Sequence, residues 1–131
     1  MKKRKKKLDI IYEDKEILVV NKPYGMLTVS TPKEKEKTLF HEASSYVKKS
    51  NPKAKVFIIH RLDKDTSGIV MFAKNQKVQK LYQDNWNNLA KTREYIAVVE
   101  GRTNSKGHIE SYLKMSKSLQ VYSSKNKDGL F

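Results

Sequence analysis

Two amphipathic helical patterns interrupt a series of short apolar runs, and this order constrains the fold more than any other feature of the chain. The first pattern opens at Thr38, a residue suited to cap a helix, and places Leu39, Phe40, Ala43, Tyr46 and Val47 on one face before Asn51-Pro52 ends it. The second brings Val78, Leu81, Tyr82, Trp86 and Leu89 together, with its aromatic residues read as core anchors. Around them, Leu8 to Tyr12, Ile17 to Val20, Met26 to Val29, Val56 to Ile59, Gly68 to Ala73, Tyr95 to Val99, His108 to Leu113 and Leu119 to Tyr122 read as extended segments. Strands, helix, strands, helix and strands, without regular strand-helix alternation, predict an α+β domain. Its sheet is expected to be mixed but mostly antiparallel, with flanking helices.

A chain of 131 residues suits one domain with a modest core. The first seven residues contain Lys2, Lys3, Arg4, Lys5, Lys6 and Lys7, and the whole carries a formal charge of +14. Such a run repels itself and fits the phosphates of a nucleic acid, so residues 1–7 are read as a basic arm and residues 8–131 as the domain. A tail that serves only solubility explains the arm as well. No stretch reaches the roughly 20 apolar residues that cross a bilayer, so no membrane partner is expected and the chain is placed in the cytoplasm. The absence of Cys removes disulfides, thiolate nucleophiles and Cys-based zinc sites. His41, His60 and His108 are too scattered for a metal cluster, and no obligatory protein partner is inferred.

Between two apolar strands lies His60-Arg61-Leu62-Asp63-Lys64-Asp65-Thr66-Ser67-Gly68, a loop denser in charge and hydroxyls than a simple connection needs. Loops carried by rigid strands are where sites are commonly built. The bland alternative is a solvated turn in which Asp63 or Asp65 organises the backbone and Arg61 pairs with an acid. Asn21-Lys22-Pro23-Tyr24-Gly25 is a second punctuation. Pro and Gly there make a tight turn that either supports a site or touches a substrate.

The run HRLDKDTSG, followed by IVMFAKN, resembles the signature of the RluA-type ribosomal RNA pseudouridine synthases. ILVVNKPYGMLTVS from Ile17 to Ser30 and REYIAVVEG from Arg93 to Gly101 agree with that family in order and spacing. The resemblance implies an enzyme that detaches uracil from its ribose, rotates it and rejoins it through carbon, without a cofactor. It puts the catalytic carboxylate on Asp63, which either adds to the sugar or abstracts a proton to give a glycal. It assigns Arg61 to holding a nucleotide flipped out of its stack, a step that costs a few kcal/mol of unstacking. Tyr95 takes the place of the family's stacking tyrosine. Arg93, two residues away on the same expected strand, would orient the Asp63 loop or bind RNA. Asp65 is then a loop-organising carboxylate, and His60 is structural. The implied partner is structured RNA, ribosomal first and transfer RNA second.

Family members continue into a block resembling GRTHQIR, whose basic side chain reaches the catalytic Asp, and nothing here matches it. The expectation is therefore a C-terminally incomplete domain, with Leu119 to Tyr122 lacking its hairpin partner and with poor activity alone. Two rivals remain. The sequence Asp63-Lys64-Asp65 loosely resembles the paired aspartates of haloacid-dehalogenase-like phosphotransferases, although His60, Arg61 and Leu62 separate it from the strand end. A non-catalytic RNA-binding module would explain the charge without chemistry.

Overall fold

The computed structural model describes residues 7–125 and divides between Arg93 and Glu94 into two units, each with its own packing. Arm residues Lys2 to Lys6 lie outside the described residues.

In the first unit β1 (Ile10–Glu13), β2 (Ile17–Lys22), β3 (Phe57–Ile58) and β4 (Gly68–Ala73) form one antiparallel sheet in the order β1-β2-β4-β3. The turn between β1 and β2 is closed by Asp14, whose Oδ1 accepts the N–H groups of Glu16 and Ile17 at 2.7 and 2.8 Å. Side chains alternate across a strand, so β2 sends Leu18, Val20 and Lys22 to one face. Across the ladder they meet Phe72, Val70 and Gly68 of β4. Helix α1 (Leu39–Ser50) covers that face with Leu39, Ala43 and Val47, at the four-residue spacing of a single stripe. Full burial of one such side chain contributes about 1.5–3 kcal/mol, which makes this layer the main stabilising one.

The ends of α1 follow from its sequence. The Thr38 side chain accepts the His41 N–H at 3.2 Å, and Asn51 closes the other end ahead of Pro52. The first N–H groups of a helix lack intrahelical partners. Here Leu27 and Thr28 supply carbonyls to Leu39 and Phe40, at 2.8 and 3.0 Å. The expected extended segment Met26 to Val29 is thus spent as a brace for the helix start. Its one ladder pairing is the parallel bridge from Leu27 to Thr38.

The other face holds Ile17, Met71 and Ala73 against Val78, Tyr82 and Trp86. These last come from α2 (Gln76–Asp84) and α3 (Trp86–Leu89), where the sequence predicted one continuous helix. Asn85 makes the break. Its side-chain amide donates to the Leu81 carbonyl at 2.9 Å, and such local bonding competes with helix continuation. Leu81 and Leu89 remain half exposed, so the core anchors of this face are Val78, Tyr82 and Trp86.

The second unit contains one hairpin, β5 (Tyr112–Met115) with β6 (Val121–Ser124), paired antiparallel along four residues. The expectation of an unpartnered Leu119 to Tyr122 strand is overturned, because β6 pairs with β5. Leu119 sits in the turn with φ of 62°, and its N–H donates to the Ser116 carbonyl. Residues 90–111 hold neither helix nor strand, so the strand expected over Tyr95 to Val99 is absent and that over His108 to Leu113 begins only at Tyr112. Strand preference is realised against neighbouring strands, and residues 91–113 are all exposed. The architecture is nonetheless the predicted α+β class, with every pairing between the named strands antiparallel. None of the described helices is long and apolar enough to cross a membrane.

Candidate active site

The chain leaves the sheet after β3 and returns at Gly68, and the residues between differ in burial. Leu62 is buried and His60 half buried, whereas Arg61, Asp63 and Asp65 are exposed. Lys64 and Ser67 are exposed as well.

The backbone of the loop is fastened at Leu62 and at Lys64. The Thr28 hydroxyl accepts the Leu62 N–H at 3.1 Å and donates to the Leu62 carbonyl at 2.6 Å, satisfying both backbone groups of a buried residue. The Lys64 carbonyl accepts the Gly25 N–H at 2.9 Å and the Lys22 ammonium at 3.1 Å. Lys22 also donates to the Pro23 and Met26 carbonyls at 3.2 and 2.6 Å, so its three protons have three acceptors. The Asn21 to Gly25 turn therefore supports the loop. Gly25 has φ of 79°, a left-handed conformation that glycine adopts without strain.

Lys22 is fully buried, an unusual place for an ammonium. Burial lowers its pKa, while Asp65 and then Asp63 act in the opposite sense. Both carboxylates of the loop thus lie within the field of one buried cation. The sequence left Lys22 open between support of a site and contact with a substrate, and its parity with Leu18 and Val20 along β2 is the signal that it faces the core. Thr28 had no such signal, because its role depends on a partner 34 residues away.

The turn at the loop's tip is closed by the Asp63 carbonyl, which accepts the Thr66 N–H at 3.1 Å. Its carboxylate is not used for this purpose, contrary to the Asx-turn alternative. Among the described residues neither Arg61, Asp63 nor Asp65 forms an ion pair, so the expected alternative of an Arg61–Asp65 salt bridge is not realised. Asp63 lies exposed. Among the described residues no cluster of His, Cys, Asp and Glu has the geometry to hold a metal ion.

His60 opens the loop. Its Nε2 accepts the Met71 N–H at 3.1 Å, and its ring stacks on Trp86 with centroids 4.6 Å apart and planes 26° from parallel. Burial lowers its pKa, and the charge of Arg93 adds to the effect. Arg93 is therefore close enough to act on the base of the loop, while its own side chain is exposed. Tyr95 belongs to the second unit and is exposed, and the strand that was to place it beside Arg93 does not form.

The fold has a solved counterpart. The human RNA pseudouridylate synthase domain containing 4 protein superposes with a TM-score of 0.52 at 23% identity, over 61% of this chain and 30% of that one. A family profile described as RNA pseudouridylate synthase matches residues 16–130. The chain belongs to that family and is of its RluA type. It is 37% identical to tRNA pseudouridine synthase C of Haemophilus ducreyi over 82% of its length and 43% of the relative's. It is 35% identical to ribosomal large subunit pseudouridine synthase D of Borreliella burgdorferi, over 91% of this chain and 38% of the relative. The chain thus spans about two fifths of the length of these curated relatives.

Proposed function

We propose that the chain carries the catalytic carboxylate of an enzyme that isomerises uridine to pseudouridine in structured RNA, and that Asp63 is that carboxylate. The observation that carries this reading is that the loop backbone is fastened at residues 62 and 64 while the side chains of Arg61 and Asp63 stay exposed. In the reaction the bond between a uracil nitrogen and the sugar carbon breaks. A bond from a ring carbon to the same sugar carbon forms, and the proton leaving that ring carbon is balanced by one gained at nitrogen. Oxidation state is unchanged, so no redox cofactor is called for. Asp63 acts at the sugar, and an immobilised backbone limits the reorganisation it needs there.

Arg61, two residues before it, is suited to fill the stack from which the nucleotide is withdrawn or to grip a phosphate, through its planar guanidinium. Tyr95 and Arg93 complete the proposed substrate contacts by family resemblance. Ribosomal RNA is the first substrate considered and transfer RNA the second, and the names of the two relatives support both. The net charge of +14 also favours a second reading, an RNA-binding module without chemistry.

Asp63→Asn separates the two, because it removes an ionisable group while keeping the shape. With the chain extended to the length of its relatives, nucleoside analysis of treated RNA is expected to show no pseudouridine from Asp63→Asn and near-normal RNA retention. Asp65→Asn is expected to keep more activity. Substantial turnover by Asp63→Asn, or the reverse ranking, sinks the assignment. The 131-residue chain by itself is expected to be a poor catalyst, since Asp63 is exposed and has no ion-pair partner among the described residues.

A further inference from the structure

His60 occupies the point at which β3 stops pairing with β4. The ladder runs from Phe57 opposite Ala73 to Ile58 opposite Phe72, and the chain then turns away. Met71 is the next residue along β4, paired in register with Val19 on its other side. The strand that could have supplied an acceptor for the Met71 N–H has left, and the imidazole Nε2 accepts that proton instead at 3.1 Å. A side chain thereby replaces a backbone carbonyl. The exchange lets the backbone diverge from the sheet at this residue without stranding a donor.

The bond requires a particular chemical form of the ring. Nε2 accepts, so it carries no proton, and in the neutral imidazole the proton resides on Nδ1. A second proton on Nε2 would set two donors against each other. The surroundings favour the neutral form, since the ring is half buried against Trp86 and Arg93 is the charge that acts on it. Trp86 and the Met71 amide bring no opposing charge. Directly after this fixed ring come Arg61 and Asp63, the exposed residues of the proposed site.

We propose that His60, through its Met71 hydrogen bond and Trp86 stack, is a positioning residue for the isomerisation, holding the start of the loop so that Arg61 and Asp63 keep their separation and direction. The inference rests on the reading of Asp63 as the catalytic carboxylate, and it adds a requirement to it. His60 touches neither substrate nor reacting atoms. It acts by preventing a displacement of the loop, and a displacement of about 1 Å at a catalytic group can cost on the order of a hundredfold in rate.

Two substitutions divide the ring's contributions. His60→Phe keeps an aromatic partner for Trp86 and leaves the Met71 N–H unpaired, whereas His60→Gln offers an amide oxygen at similar reach. In the 131-residue chain, amide exchange at Met71 is expected to accelerate in the Phe variant and return toward wild type in the Gln variant. On the chain extended to its relatives' length, kcat is expected to fall roughly ten- to hundredfold in His60→Phe, with KM for RNA held within about twofold, and to recover largely in His60→Gln. Wild type should lose kcat in acid as His60 protonates, and the Gln variant should lack that limb. Unchanged Met71 exchange in His60→Phe, or failure of His60→Gln to recover kcat, overturns the proposal. Asp63→Asn assayed alongside distinguishes the two levels: turnover retained there sinks the reading of Asp63, while turnover lost there but complete in His60→Phe sinks only the role of His60.

Discussion

At the scale of single residues, the loop depends on side chains that bond backbone groups far away in sequence. Thr28 is the clearest case, since one hydroxyl serves both the N–H and the carbonyl of Leu62. Thr28→Val preserves the shape and leaves two buried groups unpaired, and is expected to cost about 1–3 kcal/mol in urea denaturation. A variant as stable as wild type would show that water or a shifted loop replaces the hydroxyl. His60 gives a second outcome, for which the sign can be worked out. Its folded pKa is depressed below the ordinary 6.5, chiefly by burial. The unfolded chain therefore takes up the proton first, so the stability associated with neutral His60 is complete above pH 6.5 and is lost as pH falls through the lower folded value. Thermal melting is expected to show a steeper acid decline for wild type than for His60→Gln, and parallel declines would contradict it. Asp63 and Arg61 were legible in the sequence because the motif is local. Thr28 was not, because its role appears only when two distant turns are folded together, and Lys22 showed only its parity along β2.

At the scale of elements, the sequence served best where one face has a covering partner. The β4 run Gly68–Ala73 and the capped helix after Thr38 were legible to the residue, since periodicity, cap and packing agree. The second helix was legible in its apolar face but not in its interruption, for Asn85 can continue a helix or bond its backbone, and context decides. Tyr95 to Val99 has the composition of a strand and no strand beside it, so propensity alone misled. These contrasts bear on dynamics. A two-stranded hairpin is marginal by itself, whereas β2 and β4 are flanked by strands and covered by buried side chains. Hydrogen exchange is expected to be slowest at β2 and β4 and markedly faster along β5 and β6. Equal protection would mean that the hairpin unfolds only together with the sheet.

At the scale of the whole molecule, charge and fold perform separate tasks. The excess of cations carries no information about sheet order, but it draws the chain to polyanions. If residues Lys2 to Lys7 lie along single-stranded phosphates, their deletion is expected to lower the log-log salt slope of RNA affinity by about 0.7 for each phosphate no longer neutralised. An unchanged slope would leave the arm as a solubility tail. The contrast in the His60 to Asp65 segment between covered and exposed side chains has a consequence of another kind. Folding is secured by the buried side chains and by partners elsewhere, and among the exposed ones only the attraction of Asp65 and Asp63 for the buried Lys22 bears on stability. Random substitution at Arg61, Asp63 or Asp65 therefore yields folded proteins with altered chemistry, and substitution at His60 or Leu62 yields fewer folded proteins of any kind. A lineage built on this loop can explore new recognition at its exposed positions without passing through collapsed ancestors.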